Sequence, residues 1–254
     1  MLVGLEKVTL VNFPGRVSCA VFLPGCNMRC GFCHNSELVL ASPCLQKEEG
    51  KNQIHSNQYY SLEEVFSFLQ KRRKMLSGVV ISGGEPFASP YLYTIIEKVK
   101  EYGLALKIDT NGLFPEKLEE LLSENKDCLR PQMIALDVKT SPDRYIELMP
   151  DTVHDEIAVA NKIIKSLHIL REEQTKNKDF LVDYRTVLVP NLVNEAEIRT
   201  MASFLPKTAT WSFAEFIQGS CLNPSWNSIK PYSTEEITHL VELAKSFVKG
   251  AKLR

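Results

Sequence analysis

Apolar residues recur along this chain in two alternating rhythms. Short runs read as strands: Gly78-Val79-Val80-Ile81-Ser82, Leu104 to Asp109, Met133 to Val138, Phe180 to Val189 and Thr210 to Ile217. Between them lie stretches whose apolar positions fit a helix: residues 61 to 75, a segment after Pro90, one beginning near Pro115, then Asp155 to Leu170, Asn194 to Leu205 and Ser233 to Val248. Ser61-Leu62-Glu63-Glu64 matches a capping box ahead of Val65, Phe66, Phe68, Leu69 and Leu76, and Pro115 suits a first helical turn.

Before this beat begins, Val8 to Val11 and Val17 to Leu23 are strand-like and are separated by the turn dipeptide Pro14-Gly15, which predicts a hairpin. Residues 41 to 58 are polar and aperiodic and predict an exposed loop. Strands alternating with helices imply βαβ units with right-handed crossovers and a parallel sheet. The expected fold is α/β, an incomplete (β/α)6 barrel with parallel strands preceded by an N-terminal hairpin. Residues 1–254 are expected to form a single domain, with the hairpin at 5–23, the core barrel at 17–217 and a C-terminal helix at 233–249.

Composition narrows the classes. At 254 residues and 44% hydrophobic content the chain can bury a sizeable core. A formal net charge of −1 gives no global electrostatic case for nucleic acid or an anionic membrane. Lys71-Arg72-Arg73-Lys74 falls in the last turns of a predicted helix, where cations suit the helix dipole, and reads as a solvated face. No segment has the length and apolarity of a membrane span, and the opening Met-Leu-Val-Gly-Leu-Glu-Lys does not read as a signal peptide. Seven cysteines, three of them clustered, do not resemble a secreted disulfide framework, and the expected location is cytoplasmic.

The cluster is Cys26, Cys30 and Cys33, a C-x3-C-x2-C run on a loop opened by Pro24-Gly25. Three thiolates so close together need an ion to share. A 4Fe-4S cluster held by three cysteines keeps one iron open for chemistry. A zinc knuckle is the competing reading, but structural zinc usually takes four ligands, and His34 would have to fold back beside Cys33. Cys19, Cys44, Cys128 and Cys221 are scattered and read as ordinary thiols, Cys19 pointing into the sheet.

In a parallel barrel, chemistry sits on loops leaving the C-terminal ends of the strands. Gly83-Gly84-Glu85-Pro86 lies at such an end, where paired glycines admit close backbone approach and Glu85 offers acceptors to an ammonium group. Asp109-Thr110-Asn111-Gly112 ends the next strand; it reads either as a plain turn or as oxygen donors for a hydroxyl or a small hard cation. Asp137 and Lys139 share one strand face, and with Arg185 they are charges in apolar surroundings that need partners. His55, His154, His168 and His239 lack clustered companions.

The cysteine run with Phe32 before its last cysteine, followed by Gly83-Gly84-Glu85-Pro86, resembles the radical S-adenosylmethionine superfamily. Within it, Gly25 to Cys30, Cys33-His34-Asn35, Asp109 to Gly112 and Asp137-Val138-Lys139 look like the activating enzymes of glycyl radical enzymes. Leu10-Val11-Asn12-Phe13-Pro14-Gly15 and Tyr184-Arg185-Thr186-Val187 look closest to activating proteins of anaerobic ribonucleoside-triphosphate reductase. The resemblance implies a 4Fe-4S cluster on Cys26, Cys30 and Cys33, with S-adenosyl-L-methionine on its open iron. It implies Phe32 near the adenine, and Gly83, Gly84 and Glu85 at the amino group. It also implies Asp109, Thr110 and Asp137 around a monovalent cation, Asn111 in the same cofactor-binding stretch, and Lys139 and Arg185 near the methionine carboxylate. The implied protein partners are a glycyl radical enzyme as substrate and a flavodoxin or ferredoxin-type electron donor.

Asn12 departs from the pattern, since relatives commonly carry Asp there. Only Cys44 lies between Cys33 and Gly83, which argues against activases with extra ferredoxin-like clusters, and only Cys221 follows Gly219. Two other functions are consistent with the sequence: a radical enzyme acting on a small molecule, such as a deazaguanine synthase, and a non-catalytic iron–sulfur or zinc protein.

Overall fold

The computed structural model describes residues 2–41 and 59–254. Cys44, His55 and most of the expected polar loop lie outside the described residues. In chain order the first elements are β1 (Leu2–Thr9), β2 (Ser18–Leu23), α1 (Ser36–Leu40), β3 (Tyr59–Ser61), α2 (Leu62–Arg72), β4 (Gly78–Gly83), α3 (Leu92–Glu101) and β5 (Ala105–Thr110). They are followed by α4 (Pro115–Leu122), β6 (Met133–Asp137), α5 (Glu156–Lys176), β7 (Leu181–Leu188), α6 (Glu195–Phe204), β8 (Thr210–Glu215), α7 (Thr234–Phe247) and β9 (Gly250–Leu253).

Local sequence sets the helix starts. Ser61 Oγ accepts from the Glu64 N–H at 3.2 Å while Glu64 Oε2 accepts from the Ser61 N–H at 2.7 Å, closing the expected capping box of α2. The same reciprocal pair opens α6 through Asn194 and Glu197, and α7 through Ser233 and Glu236. Pro115 begins α4, where its missing N–H has no intrahelical partner to lose.

The chain falls into two compact units: residues 1–27, 37–110 and 121–133, and residues 28–36, 111–120 and 134–254. In the first, the strands run in the order β3-β1-β2-β4-β5. Here β1 is antiparallel to both neighbours, whereas β2, β4 and β5 are parallel, with Leu23 opposite Gly83 and Ile81 opposite Ile108. Buried Phe13 packs against Ala20, Val80 and Met133, with Phe22 and Ala105 alongside. Gly78 belongs to this packing for want of a side chain: a Cβ there would fall 2.9 Å from Phe13 Cδ1. In the second unit the order is β6-β7-β8-β9, and β7, β8 and β9 are parallel, with Arg185 opposite Ser212. In each unit the strands form a row with two ends, so the α/β fold with its N-terminal hairpin is open, as expected of an incomplete barrel.

Some boundaries differ from the sequence expectation. The first strand ends at Thr9, and Leu10 and Val11 lie beyond it, Val11 being 82% exposed. Their apolar character marked a strand, but the register with β2 slips between Glu6 and Thr9, and the chain turns away. Asn12 in that turn donates from Nδ2 to Glu6 Oε2 at 2.8 Å, a bond that an ionised Asp could not make beside another carboxylate. The short elements α1, β3 and β9 were not expected, and α5 runs to Lys176 rather than Leu170. Phe13→Ala is expected to lower the free energy of unfolding by about 3–5 kcal/mol, as for other buried aromatics cut to alanine. Urea denaturation checks this, and an unchanged midpoint would remove Phe13 from the core.

Candidate functional site

In the first unit the site residues are set by backbone meeting backbone. Gly25 turns the chain at φ +87° and its N–H donates to Leu38 O at 2.7 Å. Where β4 ends, the Gly84 N–H donates to Leu23 O at 2.9 Å and the Glu85 N–H to Gly25 O at 2.8 Å. Gly83 has φ +122°, and a Cβ on Gly83 or Gly84 would run into the carbonyl oxygens of Leu23 and Gly25 respectively. The paired glycines therefore admit the segment leading into Cys26.

Glu85 is fully buried. Its Oε1 accepts from the Phe87 N–H at 3.0 Å, capping the turn Pro86–Ala88, and from Thr110 Oγ1 at 2.9 Å. The carboxylate thus ties the end of β4 to the end of β5. Asp109 is not an open pair of oxygens either: its Oδ1 lies 2.5 Å from Lys107 Nζ. Lys107 is only 3% exposed and was not singled out from the sequence. The signal was present, because Lys107 and Asp109 stand two apart on one strand face, the same spacing that drew attention to Asp137 and Lys139.

In the second unit the turn Cys30-Gly31-Phe32-Cys33 is closed by the Cys33 N–H donating to Cys30 O at 3.0 Å, and Arg29 N–H donates to Leu148 O at 2.7 Å. Lys139 Nζ stands 5.8 Å from the centre of the Phe32 ring and 3.3 Å from Asp137 Oδ2. Arg185 Nε and Nη2 each approach Asp137 Oδ1 at 2.8 Å. Tyr145, also not anticipated, accepts the Lys139 N–H at 3.0 Å and donates to Asp137 O at 3.3 Å. Asn111 and Gly112 form a packed turn. The Asn111 side chain accepts from the Leu113 N–H at 3.0 Å, Gly112 has φ +79°, and its carbonyl accepts from Ser166 Oγ at 2.6 Å.

Burial alone would raise the Asp137 carboxyl, but Arg185 and Lys139 outweigh it and hold it at about 2. Burial alone would lower Lys139; Asp137, then Cys30 and Cys33, outweigh that and raise it, so the ammonium keeps its charge beside these thiols. Burial pushes the Cys19 thiol up to about 12. Burial raises the Cys221 thiol too, with Cys33 adding to the effect. Three cysteines within eight residues are the donor type that an iron–sulfur cluster takes, although among the described residues no three His, Cys, Asp or Glu side chains are gathered to hold a metal ion.

The model of the radical SAM superfamily matches residues 20–205. Over 252 residues the chain is 29% identical to a candidate glycyl-radical enzyme activating enzyme of Methanocaldococcus jannaschii, covering 99% of this chain and 94% of that protein. It is also 29% identical over 141 residues to the pyruvate formate-lyase-activating enzyme of Clostridium pasteurianum, covering 55% of this chain and 52% of that one. Among solved structures, Streptococcus suis SuiB bound to S-adenosylmethionine aligns with a TM-score of 0.58 at 17% identity, over 92% of this chain and 50% of that one. TYW1 with a lysine-pyruvate adduct aligns with a TM-score of 0.55 at 15% identity, over 90% and 73%. The chain thus spans half the length of SuiB, and both likenesses show a shared fold.

Lys107→Met leaves the Asp109 carboxylate beside a buried apolar group and is expected to destabilise the protein by about 3 kcal/mol, the scale for breaking a buried ion pair. Thermal unfolding reads this, and an unchanged midpoint would show that the pair carries no stability. Because the Asp137 carboxyl sits at about 2 in the folded chain against an ordinary 3.8, its contribution is complete above pH 3.8 and is lost as pH falls toward 2. Acid titration of the apoprotein should therefore show a shallower loss of stability in that window for Asp137→Asn than for the wild type; equal slopes would count against the assignment.

Proposed function

On the footing that the chain belongs to the radical SAM superfamily, whose members use a 4Fe-4S cluster and S-adenosylmethionine, we propose that this radical SAM enzyme is an activase that generates a glycyl radical on a partner enzyme. The observation that carries this reading is the near full-length likeness to the candidate glycyl-radical enzyme activating enzyme of M. jannaschii, over 99% of this chain and 94% of that protein. The proposed partner is anaerobic ribonucleoside-triphosphate reductase, supported by the segments Leu10 to Gly15 and Tyr184 to Val187. The proposed electron donor is a flavodoxin or ferredoxin. A near-neutral net charge supports a reading without nucleic acid, and no described helix is long and apolar enough to cross a membrane. We place the protein in the cytoplasm and treat the chain as one catalytic domain.

In this reading Cys26, Cys30 and Cys33 hold the cluster. When bound, the cluster and S-adenosylmethionine supply one-electron cleavage of a carbon–sulfur bond and, through it, the power to abstract a hydrogen atom. The chain's own residues bind and orient. Lys139, kept cationic by Asp137, and Arg185, held on the same carboxylate, offer positive charge to the methionine carboxylate. Phe32 offers a ring face to the adenine. Around Gly83 and Gly84 the backbone offers carbonyl acceptors to the amino group. Buried Glu85 fixes that backbone and, through Thr110, the end of β5. The turn at Asn111 follows directly, and Lys107 supplies positive charge at Asp109.

The test is anaerobic reconstitution followed by reduction in the presence of S-adenosylmethionine and the reductase. 5′-Deoxyadenosine should form, and electron paramagnetic resonance should show a glycyl doublet on the partner. Deoxyadenosine without a doublet on any glycyl radical enzyme of the source organism would move the protein to another substrate class. No deoxyadenosine from a fully loaded cluster would end the catalytic reading.

A further inference from the structure

Past the end of β8, the chain crosses back over the cysteine turn of the second unit. His34 Nε2 donates to Ile217 O at 2.7 Å, the Leu222 N–H to Cys33 O at 2.9 Å, and the Asn223 N–H to Gly31 O at 3.0 Å. Asn227 fastens this strap to itself, its Oδ1 accepting from the N–H groups of Gly219 at 3.0 Å and Cys221 at 3.2 Å. Within the strap, Trp226 lies on the turn. Its ring centre is 6.0 Å from that of Phe32, tilted by 40°. A Cβ built on Gly31 would enter the indole, with Nε1 at 2.5 Å.

Gly31 is therefore a glycine of space, not of backbone conformation, because it does not adopt a positive φ. The indole occupies the volume a side chain would need, and the two carbonyls flanking Phe32 are both engaged by the strap. A tryptophan suits such a task, since it covers a large area with few rotatable bonds. An ordinary surface loop would not need to meet the ligand turn in register through two backbone bonds and one fitted ring.

The geometry points to Trp226 as a positioning residue for the cofactor: through Gly31 it fixes the turn that carries Cys30 and Cys33, and through Phe32 it sets the ring face offered to adenine. This inference rests on the radical SAM reading of the cysteine loop and adds to it a residue that lies outside every motif.

The test uses the anaerobically reconstituted full chain as wild type, Gly31→Ala, Trp226→Ala, Trp226→Phe and the Gly31→Ala/Trp226→Ala double variant. Iron transfer to ferrozine should be about tenfold faster for Gly31→Ala than for the wild type, the scale for losing support behind metal ligands. Trp226→Ala should lose iron faster than the wild type as well, and the double variant should lose it no faster than Trp226→Ala, because the methyl and the missing indole act on the same turn. Trp226→Ala should weaken S-adenosylmethionine binding, read from the cofactor-induced change in the electron paramagnetic resonance spectrum of the reduced cluster, by about tenfold, and Trp226→Phe should restore part of it. The melting temperature of the Trp226→Ala apoprotein should stay at the wild-type value. The proposal is overturned if Trp226→Ala or Gly31→Ala keeps iron like the wild type, if the effects of the two substitutions simply add in the double variant, or if Trp226→Ala binds the cofactor normally. Should Gly31→Ala fail to fold, the two Trp226 variants decide the matter by cofactor affinity. A wild type that retains iron yet never binds S-adenosylmethionine defeats the functional reading instead, while the iron comparison still judges the strap.

Discussion

Two stretches of backbone meet without side chains between them where β4 ends, and the first unit depends on that meeting. The N–H groups of Gly84 and Glu85 reach carbonyls that precede Cys26, a contact that a Cβ on either Gly83 or Gly84 would block. Each bond adds about 1 kcal/mol net. The steric requirement is the stronger constraint, since a methyl group there would force the strands apart. With the backbones that close, Glu85 is carried inward, and a buried carboxylate must find donors. It finds Phe87 and Thr110, so one close approach organises the ends of β2, β4 and β5.

The second theme is how charge is tolerated inside apolar strands. Lys107 and Asp109 on β5, and Asp137 and Lys139 at the end of β6, use the two-residue period of a strand to place opposite charges on one face. Asp137 has a third member, Arg185 from β7, and the two cations together outweigh the desolvation that alone would raise its pKa. The result is a carboxylate that remains ionised and holds two cations beside it.

Much of this was legible in sequence because it is local. The capping boxes at Ser61, Asn194 and Ser233 and the proline opening α4 encode helix starts within four residues, and the apolar runs encode strands. The cysteine spacing and the Gly-Gly-Glu segment stood out for the same reason. Lys107 was overlooked as one charge in an apolar run, although Asp109 was two residues away. Trp226 carries no local signal, since it matters through Gly31 and Phe32, distant in the chain, and Tyr145 reaches Lys139 and Asp137, six and eight residues back, from the separate turn Pro142–Leu148. The backbone contact that the paired glycines admit, to Leu23 and Gly25, lies far from them in the chain and has no local signal. The apolar residues at Leu10 and Val11 misled because exposed hydrophobes at a turn look like strand positions until pairing is known.

Cys19 stands on the strand that runs into the cysteine loop, only seven residues before Cys26, yet burial lifts its thiol to about 12. Iron delivered to a folding chain meets thiols, and each competes for it according to how readily it gives up a proton. A Cys19 that has already entered the sheet is withdrawn from that competition, whereas the turn carrying Cys30 and Cys33 lies outside every strand and helix. The order of events then matters: if the sheet forms first, iron is sorted to the loop by burial, and misloading through Cys19 is closed off before the metal arrives.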